Sequence, residues 1–514
     1  MLNVLLSLLI WVPIIGGVLV LASGNQDERP NLTRWLALGV ALITLALCVP
    51  LYLNFNTSLW QMQFTEIAPW IPQFNINYAL GADGISVLFI ILTCFTNLIV
   101  ILAGWHHVDR KIAQYFAIFL VSTGITNGAF CATDALLFYV FYEASMIPMF
   151  LGIGIWGAER RSYAALKFFL YTFLGSIFLL LAFLFLYTKS GNFSIQDFIQ
   201  LKLTEHEQDL IFLAFLVAFG VKIPMWPIHT WLPDAHTEAP AGGSVVLAAL
   251  MLKLGAYGFV RFSLPIVPGV HQDLDWLLIG LSLIAIVYVG IACIVQTDMK
   301  RLIAYSSISH MGLVTLGIFM TFMIVGQTAG HQFASYEDAV MGVQGAVFQM
   351  IAHAFSSGAL FIGVGFLYHR YGSRFIRDYQ GIAHAMPIFA AFYMLFAMAN
   401  VGLPGTSGFV GEFMIVVAAF KASVWIALLA GLTLVIAPAY TLWMYKRVLF
   451  GELKSDFNTR VAQDIKGVDI LVFVLLALPI ILFGVYPDFI LNLSQSASTH
   501  FVTHVMGRVS AGTY

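Results

Sequence analysis

Charge is what this chain of 514 residues has least of. Only 10% of its residues are Asp, Glu, Lys or Arg, and the formal net charge is −2. That balance carries no nucleic-acid signal, which would require a basic patch or stripe. Cysteine is scarce as well. Cys48, Cys94, Cys131 and Cys293 lie far apart, in or beside apolar runs. No CxxC or cluster-ligand spacing occurs, which argues against iron–sulfur and zinc sites. Metal binding by the scattered histidines is not expected, since no pair is expected at HxxxH spacing on one helix face. There is also no GxGxxG fingerprint on a strand–helix unit. Redox chemistry is therefore expected on another polypeptide.

What remains is apolar. The chain is 60% hydrophobic and 15% aromatic, with a mean hydropathy of +0.89, values that exclude an ordinary soluble domain of this size. Apolar runs recur near the roughly 20 residues that cross a bilayer as helix. A β-barrel would show short alternating segments instead. The first run, Leu2 to Leu21, has no basic segment before it and reads as a retained helix, with a signal-anchor as the alternative. The expected fold is an all-α integral membrane protein, one polytopic domain over residues 1–514. About fourteen spans are expected, near 2–22, 31–53, 83–104, 113–131, 134–154, 164–187, 209–228, 243–262, 274–295, 302–324, 339–367, 387–419, 423–445 and 468–492.

Lysine and arginine set the orientation. With an external N-terminus, the inward loops collect Arg29, Arg34, Arg110, Lys111, Arg160, Arg161, Lys167, Lys300, Arg301, Arg370, Arg374, Arg377, Lys446, Arg447, Lys454, Arg460 and Lys466. The outward segments hold Lys189, Lys202, Arg261, Lys421 and Arg508. The alternation places both termini outside. The loop from Asn54 to Ala82 has no Lys or Arg, and its Trp60, Trp70 and Pro72 suggest an ordered external segment near the headgroups.

Two spans are expected to be broken. Pro224 and Pro227 remove helix hydrogen bonds beside Lys222 in span seven. Span twelve contains GLPGTSG, Gly402 to Gly408, just before Glu412. The breaks stand five spans apart. Five is odd, so units of five helices over 113–262 and 274–445 would be an inverted repeat, the architecture of transporters with mid-membrane sites. A pair of unrelated proline kinks is the plainer alternative.

Ionisable residues inside the spans are the candidate site. A charge at mid-bilayer costs roughly 2.5–3.5 kcal/mol even on the lenient insertion scale, and such residues mark ion or proton paths. Glu143 in span five and Lys222 at the break of span seven carry opposite signs, which favours pairing. That pairing leaves Lys253, mid-span in LAALMLKLGAYGF, without a partner. A lysine in a dry site loads and releases a proton near neutrality more readily than one in water. His310 and His353, in spans ten and eleven, could relay protons or simply pack. His229, after the broken seventh helix, marks a cytoplasmic mouth or a plain loop position. Ser306, Ser307, Ser309, Ser356, Ser357 and Thr406 could hold relay waters or make interhelical hydrogen bonds. His106, His107, Asp234, His236, Asp298 and His384 fall at membrane edges, where solvation is expected. A static scaffold with inert ion pairs is the competing reading.

KIPMWPIHTWLPDAHTEAPAGGSV (222–245), LKLGAYGFVRF (252–262), QTDMKRLIAYSSISHMG (296–312) and GLPGTSGFVGEFMI (402–415) resemble the antiporter-like subunits of respiratory complex I. The likeness spans nearly the whole chain. It is nearest to the type with an acid, here Glu412, where sister subunits have lysine in broken helix twelve, and without a long lateral helix. The resemblance implies fourteen helices with an inverted repeat. It implies a hydrophilic axis of Glu143, Lys222, Lys253 and Glu412, with His310 between the last two and His229 and His353 on motif positions. It implies proton translocation from cytoplasm to periplasm, driven by quinone reduction elsewhere in the complex. NADH, flavin, iron–sulfur clusters and quinone would be held by partner subunits, and this chain would hold no cofactor or metal. Its partners would be other membrane-arm subunits, sister antiporter-like subunits among them, in a bacterial inner membrane. The rivals are the equivalent component of a multisubunit sodium/proton antiporter, which shares these motifs, and the membrane arm of a related hydrogenase.

Overall fold

The computed structural model describes residues 2–24, 30–327, 335–453 and 463–511. Arg29, Lys454 and Arg460 of the expected inward set lie outside them. Eleven helices among the described residues are long and apolar enough to cross a membrane. The three other expected spans are helical too, each with a reason for falling short. Helix four, Ile112–Cys131, is continuous but diluted by Gln114, Ser122, Thr123, Thr126 and Asn127. Helix seven, Glu205–Lys222, opens on EHEQD. Helix twelve is two short pieces, Pro387–Val401 and Ser407–Ala422.

Local chemistry sets the ends. Thr204 and Glu207 form a reciprocal capping box at the start of helix seven, and Ser335 with Asp338 does the same for helix eleven. Helix eleven, Tyr336–Tyr371, ends at Gly372 in the left-handed conformation. Its 36 residues make it about 54 Å long, well beyond a hydrocarbon core of about 30 Å. The close boundary between helices four and five falls where the sequence puts it. Helix four ends at Cys131, and Asp134 caps the next by accepting from the Leu136 and Leu137 amides.

The loops sort to two ends as the basic residues predict. At one end Asp234 binds Lys167 and Arg301, Arg374 bridges Glu238 and Asp298, and Arg370 and His107 meet Asp469. Every one of these residues belongs to the expected inward side. At the other end, backbone bridges join Leu80 to Ala132 and Asp134 to Ser194, all expected outside.

Three expectations are corrected. The fold is not purely α. The loop expected outside forms an antiparallel hairpin, β1 Gln63–Ile71 and β2 Ile76–Ala82, turning through Asn75 at φ +51°. Glu66 on β1 accepts from the Leu6 amide at 2.8 Å and the Ser7 amide at 3.2 Å, satisfying free N–H groups at the start of helix one. Span fourteen ends at Val485 rather than 492. A separate helix, Asp488–Ala511, then lies over the end expected outside, where Arg508 binds the Ile199, Leu201 and Pro265 carbonyls and His500 stacks on Trp60. Finally, several membrane-edge residues are not solvated. His236 is fully buried against Phe361, and Asp298 is buried beside Arg374. Burial holds the Asp298 carboxyl above its ordinary range, and the Arg374 guanidinium offsets only part of that rise.

Candidate proton-relay axis

Both expected helix breaks are present, and each holds a charged side chain. Helix seven stops at Lys222, turns through Ile223–Thr230 and resumes as Trp231–Glu238. Trp231 is fully buried and donates to the freed Val221 carbonyl at 2.9 Å. Helix twelve stops at Gly402, whose φ of +77° suits a residue without Cβ. Glu412 sits in the second turn of the following half-helix, not at its start. Its carboxylate still reaches the break, because helical side chains lean toward the N-terminus. A Cβ on Gly402 would lie 2.8 Å from Glu412 Oε2.

Helix eight runs from Ala241 to Ile266 and is fully buried over its apolar core. Two π-helical turns, Leu247–Met251 and Phe259–Ser263, bracket Lys253. A wider turn frees a carbonyl, and Lys253 Nζ donates to that of Ala248 at 2.6 Å. Gly255 lets this helix approach the end of helix seven, since a Cβ there would lie 2.6 Å from the Ile223 nitrogen.

The expectation that Lys253 stands alone is wrong. Its Nζ lies 2.9 Å from His353 Nδ1 on helix eleven. The His353 and His310 rings are 5.8 Å apart, centre to centre. His310 Nδ1 lies 3.0 Å from Glu412 Oε1, and Gln349 Nε2 donates to the same oxygen at 3.1 Å. All five side chains are buried, Lys253 completely. The two Nε2 atoms, of His353 and His310, have no protein partner. Sequence reasoning missed Gln349, which only its place one turn before His353 could have suggested.

The other expected members sit differently. Glu143 and Lys222 do not form the direct ion pair their signs suggested. Lys222 Nζ lies 4.2 Å from the centre of the Tyr142 ring, with Ser145 Oγ at 3.4 Å and the Tyr142 carbonyl at 3.5 Å. Glu143 is half-buried beside exposed Val140 and Ile147, and its Oε2 has no partner. The Coulomb attraction between them is thus exerted across a gap, with Tyr142 and Ser145 holding the lysine. His229 faces the Tyr305 ring at 6.5 Å and makes no hydrogen bond to Lys222 or Lys253. Ser306, Ser307 and Thr406 donate to carbonyls three or four residues back in their own segments, and Ser309 donates to the Ile286 carbonyl of a neighbouring helix. His500 and His504 do stand one turn apart, on the outer helix rather than in a span. Among the described residues no group of three or more His, Cys, Asp or Glu is placed to hold a metal.

A nearly all-helical membrane chain with two broken helices and a buried lysine–histidine–carboxylate line has the build of an antiporter-type subunit. The signature of the family described as "NADH:quinone oxidoreductase/Mrp antiporter, TM" matches residues 132–437. NADH-quinone oxidoreductase subunit M of Rhodobacter capsulatus is 42% identical over 513 residues, 97% of this chain and 96% of that protein. NADH-ubiquinone oxidoreductase chain 4 of Marchantia polymorpha is 39% identical over 500 residues, 97% of each. Among solved structures, a chain of respiratory complex I from Thermus thermophilus superposes with a TM-score of 0.86 at 30% identity, covering 98% of this chain and 100% of that one. A chain of the Mrp complex from Dietzia sp., at 19% identity and a TM-score of 0.82 over 98% and 99%, shares the fold. The chain belongs to the subunit M (chain 4) family of NADH–quinone oxidoreductase.

Proposed function

We propose that this chain is a proton-translocating membrane-arm subunit of an NADH–quinone oxidoreductase, carrying protons from cytoplasm to periplasm as quinone is reduced on other subunits. NADH, flavin, iron–sulfur clusters and quinone belong on those partners, and sister antiporter-like subunits flank it. Fourteen crossings, a bacterial inner membrane, external termini and inverted repeats over 113–262 and 274–445 complete the reading.

The observation that carries it is the buried line from Lys253 through His353 and His310 to Glu412. Lys253 hands a proton to His353 Nδ1, and the ring releases one from Nε2. His310 accepts at its own Nε2 and passes the proton on its Nδ1 to Glu412 Oε1. One water or a ring rotation spans the distance between the imidazoles. Lys222 supplies Lys253 from the cytoplasmic side, with Glu143 biasing the charge of Lys222 across Tyr142. His229 lies toward the cytoplasmic mouth. Glu412, at the break of helix twelve, releases outward. Reconstituted complex tests this. Lys253→Met should assemble, yet lower protons moved per NADH. NADH- and quinone-binding subunits should co-purify with the chain, and a complex without them would favour the sodium/proton antiporter.

A further inference from the structure

Lys253, Tyr257 and Arg261 stand at i, i+4 and i+8 on helix eight, along one face that runs outward for about 12 Å. Tyr257 is buried, and its hydroxyl donates to the Phe130 carbonyl at 3.1 Å. That hydroxyl also meets Ser86 Oγ at 3.0 Å and accepts from Arg261 Nε at 3.1 Å. Arg261 Nη2 binds Asp83 Oδ2 at 2.7 Å and Ser86 Oγ at 3.3 Å. Asp83 and Arg261 in turn line a cavity of about 800 Å³ at the outer end, together with Asp134, Asp197, His500 and His504. A hydrogen-bonded polar thread therefore runs from this cavity to the Tyr257 hydroxyl, and Tyr257 follows Lys253 by four residues on the same helix, although the lysine amine itself turns to Ala248 and His353. The relay described above does not use this thread.

We propose that the Asp83–Arg261 pair, seated on Tyr257, is an outward plug over Lys253 that keeps its proton on the lateral route to His353. Arginine suits the task chemically. It cannot release its proton, so it cannot relay one. Asp83 holds the guanidinium in place from the start of helix three, Gly84–Ala103, where the same carboxylate caps the helix through the Ser86 amide at 2.9 Å. Without the carboxylate charge, the guanidinium is free to swing into the cavity and the thread opens.

The inference rests on the proposed relay, and the experiment separates the two. Asp83→Asn keeps a capping oxygen and removes the charge. Intact complex carrying it is sealed in vesicles, quinone reduction is blocked, and the decay of an imposed pH gradient is followed with a trapped pH-sensitive dye. The plug predicts a several-fold faster decay, fewer protons per NADH when turnover is allowed, and continued NADH oxidation. Arg261→Gln should do the same and Arg261→Lys less. Adding Lys253→Met to Asp83→Asn should return the decay to the parent rate. A parent-like decay in both Asp83→Asn and Arg261→Gln overturns the plug, as does a leak that survives Lys253→Met. Parent-level pumping by Lys253→Met alone would instead overturn the relay.

Discussion

At the residue scale, the proposed relay makes His353 the group through which Lys253 changes its charge. A buried ammonium needs acceptors, and its two are the Ala248 carbonyl and His353 Nδ1. The carbonyl cannot take a proton, whereas the imidazole can. His353→Leu should therefore lower coupled NADH oxidation toward the roughly 10²-fold loss typical of a positioned acid–base group. Native gels should still show assembled complex, and an assembled variant with parent activity would refute the role. Glu412→Gln retains the shape that Gln349 and Gly402 accommodate, so pumping should fall further than assembly. The charged residues were legible in the sequence because charge inside an apolar run is conspicuous. Their partners were not. Lys253 and His353 are 100 positions apart, and only helix packing decides that they meet. Electrostatic sign alone paired Glu143 with Lys222, but the structure gives Lys222 an aromatic face and a serine instead.

At the scale of elements, proline and glycine announced both breaks, since each removes a specific helical hydrogen bond or allows a left-handed turn. Gly402→Ala forces a Cβ into the left-handed region, at a cost of about 1–2 kcal/mol, and drives it against the Glu412 carboxylate. The expected outcome is a complex that melts earlier and pumps less, read by thermal unfolding and dye quenching on one preparation. The π-helical turns around Lys253 left no mark in the sequence, because apolar residues fill them as they fill any helix. The hairpin was hidden for another reason. Pro69 interrupts β1 and most of that strand is exposed, so no clean in–out alternation survives. The outer helix Asp488–Ala511 mixes His, Ser and Thr with its apolar residues and was legible only as the tail of a span. It packs tightly all the same. A Cβ on Gly84 would lie 1.7 Å from the Leu493 carbonyl. Gly84→Ala should therefore displace the outer helix and expose His500 to water-soluble histidine reagents.

For the whole molecule, the residues expected inward meet in one ion-pair seam, while the hairpin and the helix Asp488–Ala511 gather residues expected outside. All four cysteines are buried, so a single introduced thiol reports sidedness. A membrane-impermeant maleimide should label Gln61→Cys only from the periplasm and Glu452→Cys only from the cytoplasm. The reverse pattern would invert the orientation and, with it, the direction assigned to Glu412.

The proposed relay requires protons to leave Lys253 for His353, and Lys253→Arg probes that transfer. Arginine keeps the positive charge but cannot release a proton. The measurement is the number of protons moved per NADH oxidised by assembled, reconstituted complex. Lys253→Arg is expected to fall well below the parent, close to Lys253→Met. If Lys253→Arg moves as many protons as the parent while Lys253→Met does not, the residue is a fixed charge and the relay through His353 is wrong.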